Sequence, residues 1–154
     1  MDQLLQKVFK STEKGLYKLL PAQLRQLGYQ DITINKGNYI YSPGNIPILL
    51  VAHLDTVFKK TPKEIIQEGD ILYCDNNGIG ADDRAGVYSI LQITNITAQD
   101  PMAPGLPHIL FTSGEEIGGI GALTASKELA PEVKFIIELD RQGSSDCVFY
   151  NCNN

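Results

Sequence analysis

The stretch that decides the fold is IPILLVAHLD, residues 46–55. It is apolar almost without interruption from residue 46 to residue 52 and then ends in His53 and Asp55. An apolar run of this length without alternation is typical of a strand that is buried on both faces. Such a strand needs a covering layer on either side, so the stretch predicts an α/β protein in which helices flank a central sheet.

Outward from this strand, apolar runs alternate with segments of helical periodicity. Buried strands are predicted at HILFTS (108–113) and VKFIIELD (133–140), a further strand at DCVFY (146–150), and hairpins at DITINKGNYIYSPG (31–44) and KEIIQEGDILYCD (63–75). Helical spacing runs from Leu4 to Leu27, with a break or a fresh helix start expected at Pro21, and it returns from Asp82 onward and in IGALTASKELA (120–130). This order predicts an α/β fold, a three-layer sandwich with a mostly parallel or mixed central sheet flanked by helices.

The composition is that of an ordinary globular protein. The 154 residues, 43% hydrophobic and 20% charged, fit one domain over residues 1–154. A net charge of −5 argues against a nucleic-acid partner, and no apolar stretch approaches the roughly 20 residues that cross a bilayer. The amino terminus lacks a signal pattern, and Cys74, Cys147 and Cys152 lack CxxC spacing. We therefore expect a cytoplasmic protein with free thiols and no membrane partner, and a homo-oligomer is compatible with this composition.

Conspicuous polar residues follow the predicted strands. They are His53 and Asp55 at the end of the first strand, Asp82 and Asp83 before a helix, Glu115 and Glu116 after the strand at 108–113, and Asp140 at the end of the strand at 133–140. In open α/β sheets ligands bind outside the carboxyl ends of the strands, so we expect these groups to converge. Carboxylates gathered in one cleft stay ionised only beside cations. Imidazole together with carboxylates suits zinc, with manganese or cobalt as alternatives.

Each of these motifs alone has an ordinary structural interpretation. A histidine at a strand end is more often structural, an Asp-Asp pair before a helix is common capping, and two glutamates in a turn are usually solvated. Four such motifs in order, each after its own strand, are a much rarer coincidence. We therefore favour a shared functional site.

Four motifs carry a family resemblance: AHLDTV (52–57), GIGADDRAG (78–86), TSGEEIGG (112–119) and IIELDRQG (136–143). In this order they resemble the motifs of the di-zinc, co-catalytic metallopeptidases, the clan that holds families M20, M28 and M42. The resemblance covers roughly residues 46–140. It implies a zinc-exopeptidase-like fold and a metal-dependent hydrolase of peptide or amide bonds, in the first place an aminopeptidase. The implied substrate is a peptide or an N-acyl amino acid, and the implied cofactor is one or two zinc ions.

The resemblance also implies a role for each motif residue. The implied metal ligands are His53 and Asp140 for the first metal, Asp82 as the bridge between both metals, and Glu116 for the second. The implied catalytic residues are Glu115, the general base, and Asp55, which would orient the imidazole of His53. The peptide bond between Asp82 and Asp83 would be cis, as such families often have it.

The sequence departs from the family pattern at one ligand. A histidine late in the chain should also bind the second metal, but the sequence contains only His53 and His108. His108 begins a predicted strand, at the end opposite the acids, so we expect it to be structural. We therefore expect a domain that is incomplete at its carboxyl terminus. The first metal would have a full ligand set, and the second, with only Asp82 and Glu116, would be weakly occupied.

Two other functions stay open. If the missing histidine is essential, the chain is a catalytically inactive metal-binding or partner-binding protein of the same fold. A magnesium phosphatase built on aspartates fits less well, because such enzymes seldom need the HxD and GEE motifs found here. Arg84 and Arg141 each follow a metal-site aspartate and would pair with it, meet a substrate carboxylate, or lie on the surface.

Overall fold

The computed structural model describes residues 1–74, 78–129 and 132–140. In chain order these ranges contain α1 (Gln3–Lys10), α2 (Glu13–Gln26), β1 (Thr33–Asn35), β2 (Tyr39–Ser42), β3 (Ile48–His53), β4 (Ile66–Glu68), β5 (Ile71–Tyr73), α3 (Ala81–Gln99), β6 (His108–Thr112), α4 (Ile120–Glu128) and β7 (Phe135–Glu138). Both predicted hairpins are confirmed, as β1–β2 and β4–β5. Arg141, Cys147, Cys152 and the strand predicted at 146–150 lie outside the described residues.

The central sheet is mixed. Its strand order is β1-β2-β6-β3-β7; β3 pairs in parallel with both β6 and β7, whereas β2 is antiparallel to β6. The register places His53 opposite Thr112 and Val51 opposite Glu138, so the carboxyl ends of β3, β6 and β7 share one edge. Residues that follow these three strands therefore meet at that edge.

Helices cover both faces of the sheet. On one face α1, α2 and α3 pack together, and Leu16, Ile90 and Phe111 are fully buried there. On the other face α4 packs through Ala125 near Leu110 of β6. This arrangement is the predicted three-layer α/β sandwich. No helix in the described ranges is long and apolar enough to span a membrane.

The break predicted at Pro21 is wrong, because α2 runs through this residue. A proline inside a helix removes one backbone hydrogen bond, but Leu20 and Leu24 on either side are completely buried. Packing of this apolar face outweighs the lost bond, since most helical stability in proteins comes from tertiary packing. The chain instead breaks before α2, where the side chain of Thr12 caps the helix by accepting the N–H of Gly15 at 3.1 Å.

The burial predicted for the strand at 133–140 is also wrong. The side chains of β7 face solvent: Phe135, Ile136 and Ile137 are 61%, 66% and 45% exposed. Within the described residues β7 is the edge strand of the sheet and pairs with β3 alone. An apolar run shows that a strand is able to be buried, whereas its actual burial depends on which neighbours pack against it.

Candidate metal centre

Carboxylates from three separate loops meet around the imidazole of His53, the last residue of β3. The Nε2 atom of His53 lies 2.9 Å from Oδ1 of Asp82. Carboxylate oxygens of Glu115 and Asp140 each lie 3.9 Å from the same nitrogen. Glu115 follows β6 and Asp140 follows β7, the two parallel neighbours of β3, so the sheet register brings them together.

The candidate ligand atoms form two overlapping triads. One triad is His53, Glu115 and Asp140, the other is His53, Asp82 and Glu116, and within each the ligand atoms lie within 4.8 Å of one another. Asp82 and Asp140, both predicted for the first metal, thus fall in different triads that share the histidine. Imidazole nitrogen and carboxylate oxygen are ligands that zinc takes in hydrolases, so the donor set fits a divalent cation.

Burial, together with the crowding of negative charge at this edge, raises the pKa of two carboxyl groups. Burial raises the pKa of Glu116, and the neighbouring charge of Asp82 raises it further. Burial likewise raises the pKa of Glu138, with the charge of Asp140 as the next contribution. A cation among these groups would relieve the repulsion, which is a second reason why the residues fit a metal.

The ring of His53 is held between carboxylates on both sides. The side chain is 2% exposed, and its Nδ1 atom lies 3.4 Å from Oδ1 of Asp55. Burial lowers the pKa of His53, but the hydrogen bond to Asp82 and the surrounding carboxylates outweigh it and raise the pKa above its usual value. A carboxylate behind the ring is the usual partner of a metal-binding histidine, because it fixes the orientation of the imidazole.

Asp55 also connects two of the motif loops. Its two carboxylate oxygens accept hydrogen bonds from the backbone N–H groups of Glu115 and Glu116, at 3.2 and 3.1 Å. The turn that leads into this pair requires Gly114, whose φ of 73° lies in the left-handed region. Asp55 therefore positions the glutamate pair in addition to facing His53, and the sequence motif contains no signal for this second contact.

The two aspartates at the start of α3 have different surroundings. The peptide bond between them is cis, as the resemblance implies. Asp82 turns to His53, whereas Asp83 is buried and accepts the backbone N–H groups of His53 and Gly86, at 3.2 and 2.9 Å. Burial raises the pKa of Asp83 to about 8. The sequence places Asp83 among the residues expected to converge but gives it no ligand role. Its spacing to Gly86 fits a capping side chain, which bonds to the N–H three residues on.

Arg84 is buried rather than on the surface. It donates hydrogen bonds to backbone carbonyl groups and not to a metal-site aspartate. It is 3% exposed, and its Nη1 donates to the carbonyl oxygens of Val8 at 3.1 Å, Phe9 at 3.4 Å and Ser11. Burial lowers the pKa of Arg84. Arg84 thus ties the end of α1 to the start of α3, next to the two aspartates. The second predicted arginine, Arg141, lies outside the described residues.

Another support of the glutamate loop comes from α2. The hydroxyl of Tyr17 lies 2.9 Å from Oγ of Ser113, which directly precedes the glycine of the loop. Ser113 is 2% exposed, and its backbone N–H donates to the carbonyl of Asn38 at 2.7 Å. Tyr17 and Ser113 are 96 residues apart, so no local sequence pattern identifies the pair.

The second histidine lies at the opposite edge of the sheet. His108 begins β6, where the register places it opposite Leu49 near the start of β3. Its Nδ1 atom is 2.8 Å from the hydroxyl of Tyr41, and the two rings stack with centroids 6.2 Å apart. Burial lowers the pKa of His108. This position excludes His108 from the two triads, in line with its predicted structural role.

The fold and the site together define an α/β sandwich with a histidine and carboxylates at the carboxyl edge of its sheet. A model of peptidase family M28 matches residues 33–151, which is most of the chain. The chain therefore belongs to peptidase family M28.

Solved structures share the fold. A tripeptidase from Staphylococcus aureus subsp. aureus Mu50 has a TM-score of 0.74 at 22% sequence identity, and aminopeptidase PepT from Bacillus cereus ATCC 10987 has a TM-score of 0.74 at 19%. Each comparison covers 90% of this chain and 42% of the solved chain. Among curated proteins, peptidase T of Geobacillus kaustophilus (strain HTA426) is 26% identical over an alignment of 145 positions, and the match covers 67% of this chain and 35% of the relative. The chain thus spans less than half the length of each of these relatives.

Proposed function

We propose that this chain hydrolyses peptide or amide bonds as a metal-dependent aminopeptidase, with a carboxylate-bridged zinc site and Glu115 as general base. The observation that carries the proposal is the meeting of Asp82, Glu115 and Asp140 within 3.9 Å of the Nε2 atom of His53. Membership of a peptidase family supports the reaction class. The names of the relatives, a tripeptidase, an aminopeptidase and a peptidase T, support short peptides as the substrate.

The two triads contain the residues that would hold the cation. Zinc, or manganese or cobalt in its place, would supply a Lewis acid and lower the pKa of a water molecule at the site. His53, Asp82, Glu116 and Asp140 would be its ligands, whereas Glu115 would stay free of the metal and act as general base. The sequence contains no histidine other than His108 to complete a second set, so we infer that one ion binds more tightly than the other.

Glu115 is the residue best placed to move a proton. Its side chain is 45% exposed and therefore reachable by a water molecule and by substrate. Its backbone is held in place by the hydrogen bond to Asp55, which limits the positions that the carboxylate can take. In the proposed reaction the Glu115 carboxylate takes a proton from the attacking water and delivers it to the leaving amine.

A second candidate function is a metal-binding protein of the same fold without turnover. The observation that favours it is the position of His108 at the far edge of the sheet, because it leaves Glu116 without a histidine partner of its own. The two candidates agree on metal binding and differ on catalysis.

The test is the variant Glu115→Gln, assayed on aminoacyl-chromophore substrates with the zinc-loaded chain. We expect turnover to fall by about 100-fold or more, because the amide cannot accept the proton, while zinc affinity stays within about twofold of that of the unchanged chain. The matched control is Glu132→Gln, which makes the same change at an exposed glutamate before the amino end of β7. Turnover that survives Glu115→Gln would remove the proposed mechanism. Zinc binding without turnover in the unchanged chain would establish the second candidate instead.

A further inference from the structure

A second charged surface lies near the metal centre, and its charge is positive. Three exposed lysines, Lys14 and Lys18 of α2 and Lys36 of the turn between β1 and β2, line a cleft of about 520 Å³, the lysine cleft. Glu13 is the one acid among the described residues that line it. A volume of a few hundred cubic ångströms is usual for a small-molecule site. The lysine cleft therefore combines room for a small molecule with a positive net charge.

The lysines of this cleft are not neutralised by acids. In the described part of the chain no carboxylate lies within ion-pair distance of the ammonium groups of Lys14, Lys18 or Lys36. Lys14 and Lys18 are four residues apart in α2, so their side chains share one side of the helix and their like charges repel each other. An anion in the lysine cleft would relieve this repulsion, as a cation would among the carboxylates of the metal centre.

The lysine cleft also offers an apolar surface next to its charges. Ile34 of β1 is 41% exposed and lines the cleft together with Tyr17. A Cβ atom added to Gly37 would meet no other atom within 4 Å, so the space beside the turn is open. A small hydrated anion such as phosphate gains nothing from apolar contacts, whereas an organic acid with an apolar body uses both kinds of surface.

Tyr17 connects the lysine cleft to the glutamate loop. Its hydroxyl lies 2.9 Å from Oγ of Ser113, at the start of that loop. The register places Tyr39 of β2 opposite Thr112, so the turn that carries Lys36 lies beside the carboxyl end of β6. The lysine cleft is therefore at the same edge of the sheet as the metal centre, although neither triad contains any of its residues.

We propose that the lysine cleft binds the carboxylate of an organic acid with an apolar body, at a site separate from the metal centre. The lysines contact the carboxylate, while Ile34 and Tyr17 contact the apolar body. The proposal does not depend on the aminopeptidase function, because the cleft contains no proposed metal ligand or general base. Two sources present this chemistry, the carboxyl terminus of a bound substrate peptide and a second molecule of acid.

The test titrates 3-phenylpropionate into the chain by calorimetry, without zinc, and uses 3-phenylpropionamide as the uncharged probe. We expect the acid to bind at least about fivefold more tightly than the amide, and less tightly as salt is added, since exposed charges are screened. Lys14→Gln, Lys18→Gln and Lys36→Gln each weaken the acid by about two- to fivefold, and all three together by about tenfold or more. The matched control is Lys59→Gln, at an exposed lysine outside the cleft. Equal binding of acid and amide, or an equal loss in Lys59→Gln, would overturn the proposal.

A kinetic comparison distinguishes the two sources of the carboxylate. Leu-Gly-Gly and its carboxyl-terminal amide are assayed with the zinc-loaded chain and with its Lys36→Gln variant. A KM that rises by about twofold or more for the acid alone in Lys36→Gln assigns the cleft to the carboxylate of the substrate. The same KM for acid and amide in both chains, with 3-phenylpropionate still bound, assigns the cleft to a second molecule. A chain without turnover would remove the aminopeptidase proposal alone, because the calorimetric test does not require activity.

Discussion

The two histidines occupy opposite ends of the same pair of parallel strands. His53 ends β3 opposite Thr112, whereas His108 begins β6 opposite Leu49. The first lies among carboxylates, and their hydrogen bond and charges raise its pKa although burial acts in the opposite direction. The second stacks against Tyr41, and burial lowers its pKa.

The difference between the two histidines shows what the edge of a parallel sheet contributes. Loops that leave the carboxyl ends of β3, β6 and β7 bring acids from distant parts of the chain around one ring. At the amino edge the same residue type meets an aromatic ring and no triad of ligands among the described residues. The same imidazole side chain is thus a candidate metal ligand at one edge of the sheet and a packing residue at the other.

The largest effect on zinc affinity is expected when each of the two histidines is replaced in turn. His53→Ala removes the nitrogen that both triads share, so we expect zinc affinity to fall by more than about 100-fold, a larger loss than removal of an outer partner produces. His108→Gln, at the opposite edge, should leave zinc affinity within about twofold of the original. Calorimetric titration of zinc into the two variants makes the comparison. A similar loss of zinc affinity in both would show that the edge at which a histidine lies does not decide whether it binds zinc.

A smaller effect is expected from the carboxylate behind the ring of His53. Asp55→Asn replaces one hydrogen-bond acceptor with an amide N–H group that faces a backbone N–H of the glutamate pair. We expect zinc affinity and turnover to fall by about 10- to 100-fold, the usual cost of removing such a partner. Asp100→Asn is the control, because Asp100 also accepts a backbone N–H, that of Met102 at 2.8 Å, at the far end of α3. If both variants bind zinc equally well, Asp55 does not position the site.

The smallest effect is expected in the pH dependence of stability at the amino edge. Because the pKa of His108 is lowered in the folded chain from its usual 6.5, the unfolded chain binds more protons below that value. The contribution of His108 to the free energy of unfolding is therefore fully present above pH 6.5. It is lost as the pH falls through the pKa of the folded chain. Urea unfolding of the metal-free chain at about pH 8 and about pH 5 should show a smaller loss in His108→Gln than in the unchanged chain. A larger loss in the variant would mean that His108 is stabilised by protonation.

Hydrophobic periodicity predicts much of the fold, but it predicts the wrong burial for the strand β7. The apolar run that ends at His53 predicts β3 correctly, because β3 has partners on both edges and helices on both faces. A similar run predicts β7 at the right place but with the wrong burial, because within the described residues β7 has one partner strand. Periodicity measures what a segment is able to bury, and the neighbours that would bury it are a tertiary property.

The site divides in the same way between residue identity and placement. The motif residues were recognisable because each follows a strand and because the four motifs occur in the family order. Tyr17 lies outside the motifs, and the contacts by which Asp83 and Arg84 support the site are not described by motif order. Capping spacing is the signal that favours the contact between Asp83 and Gly86.

The sequence by itself determined the alternation of strands and helices, the family, and which acids accompany His53. Hydrophobic periodicity and the order of motifs are local properties of the chain, so they can be read without coordinates. Only the tertiary structure decided that Asp82 and Asp140 belong to different candidate triads around one nitrogen, and that Asp55 holds the backbone of the glutamate pair. These features depend on strand register and on loops that meet across 60 or more residues, and such distances are set by packing rather than by local sequence.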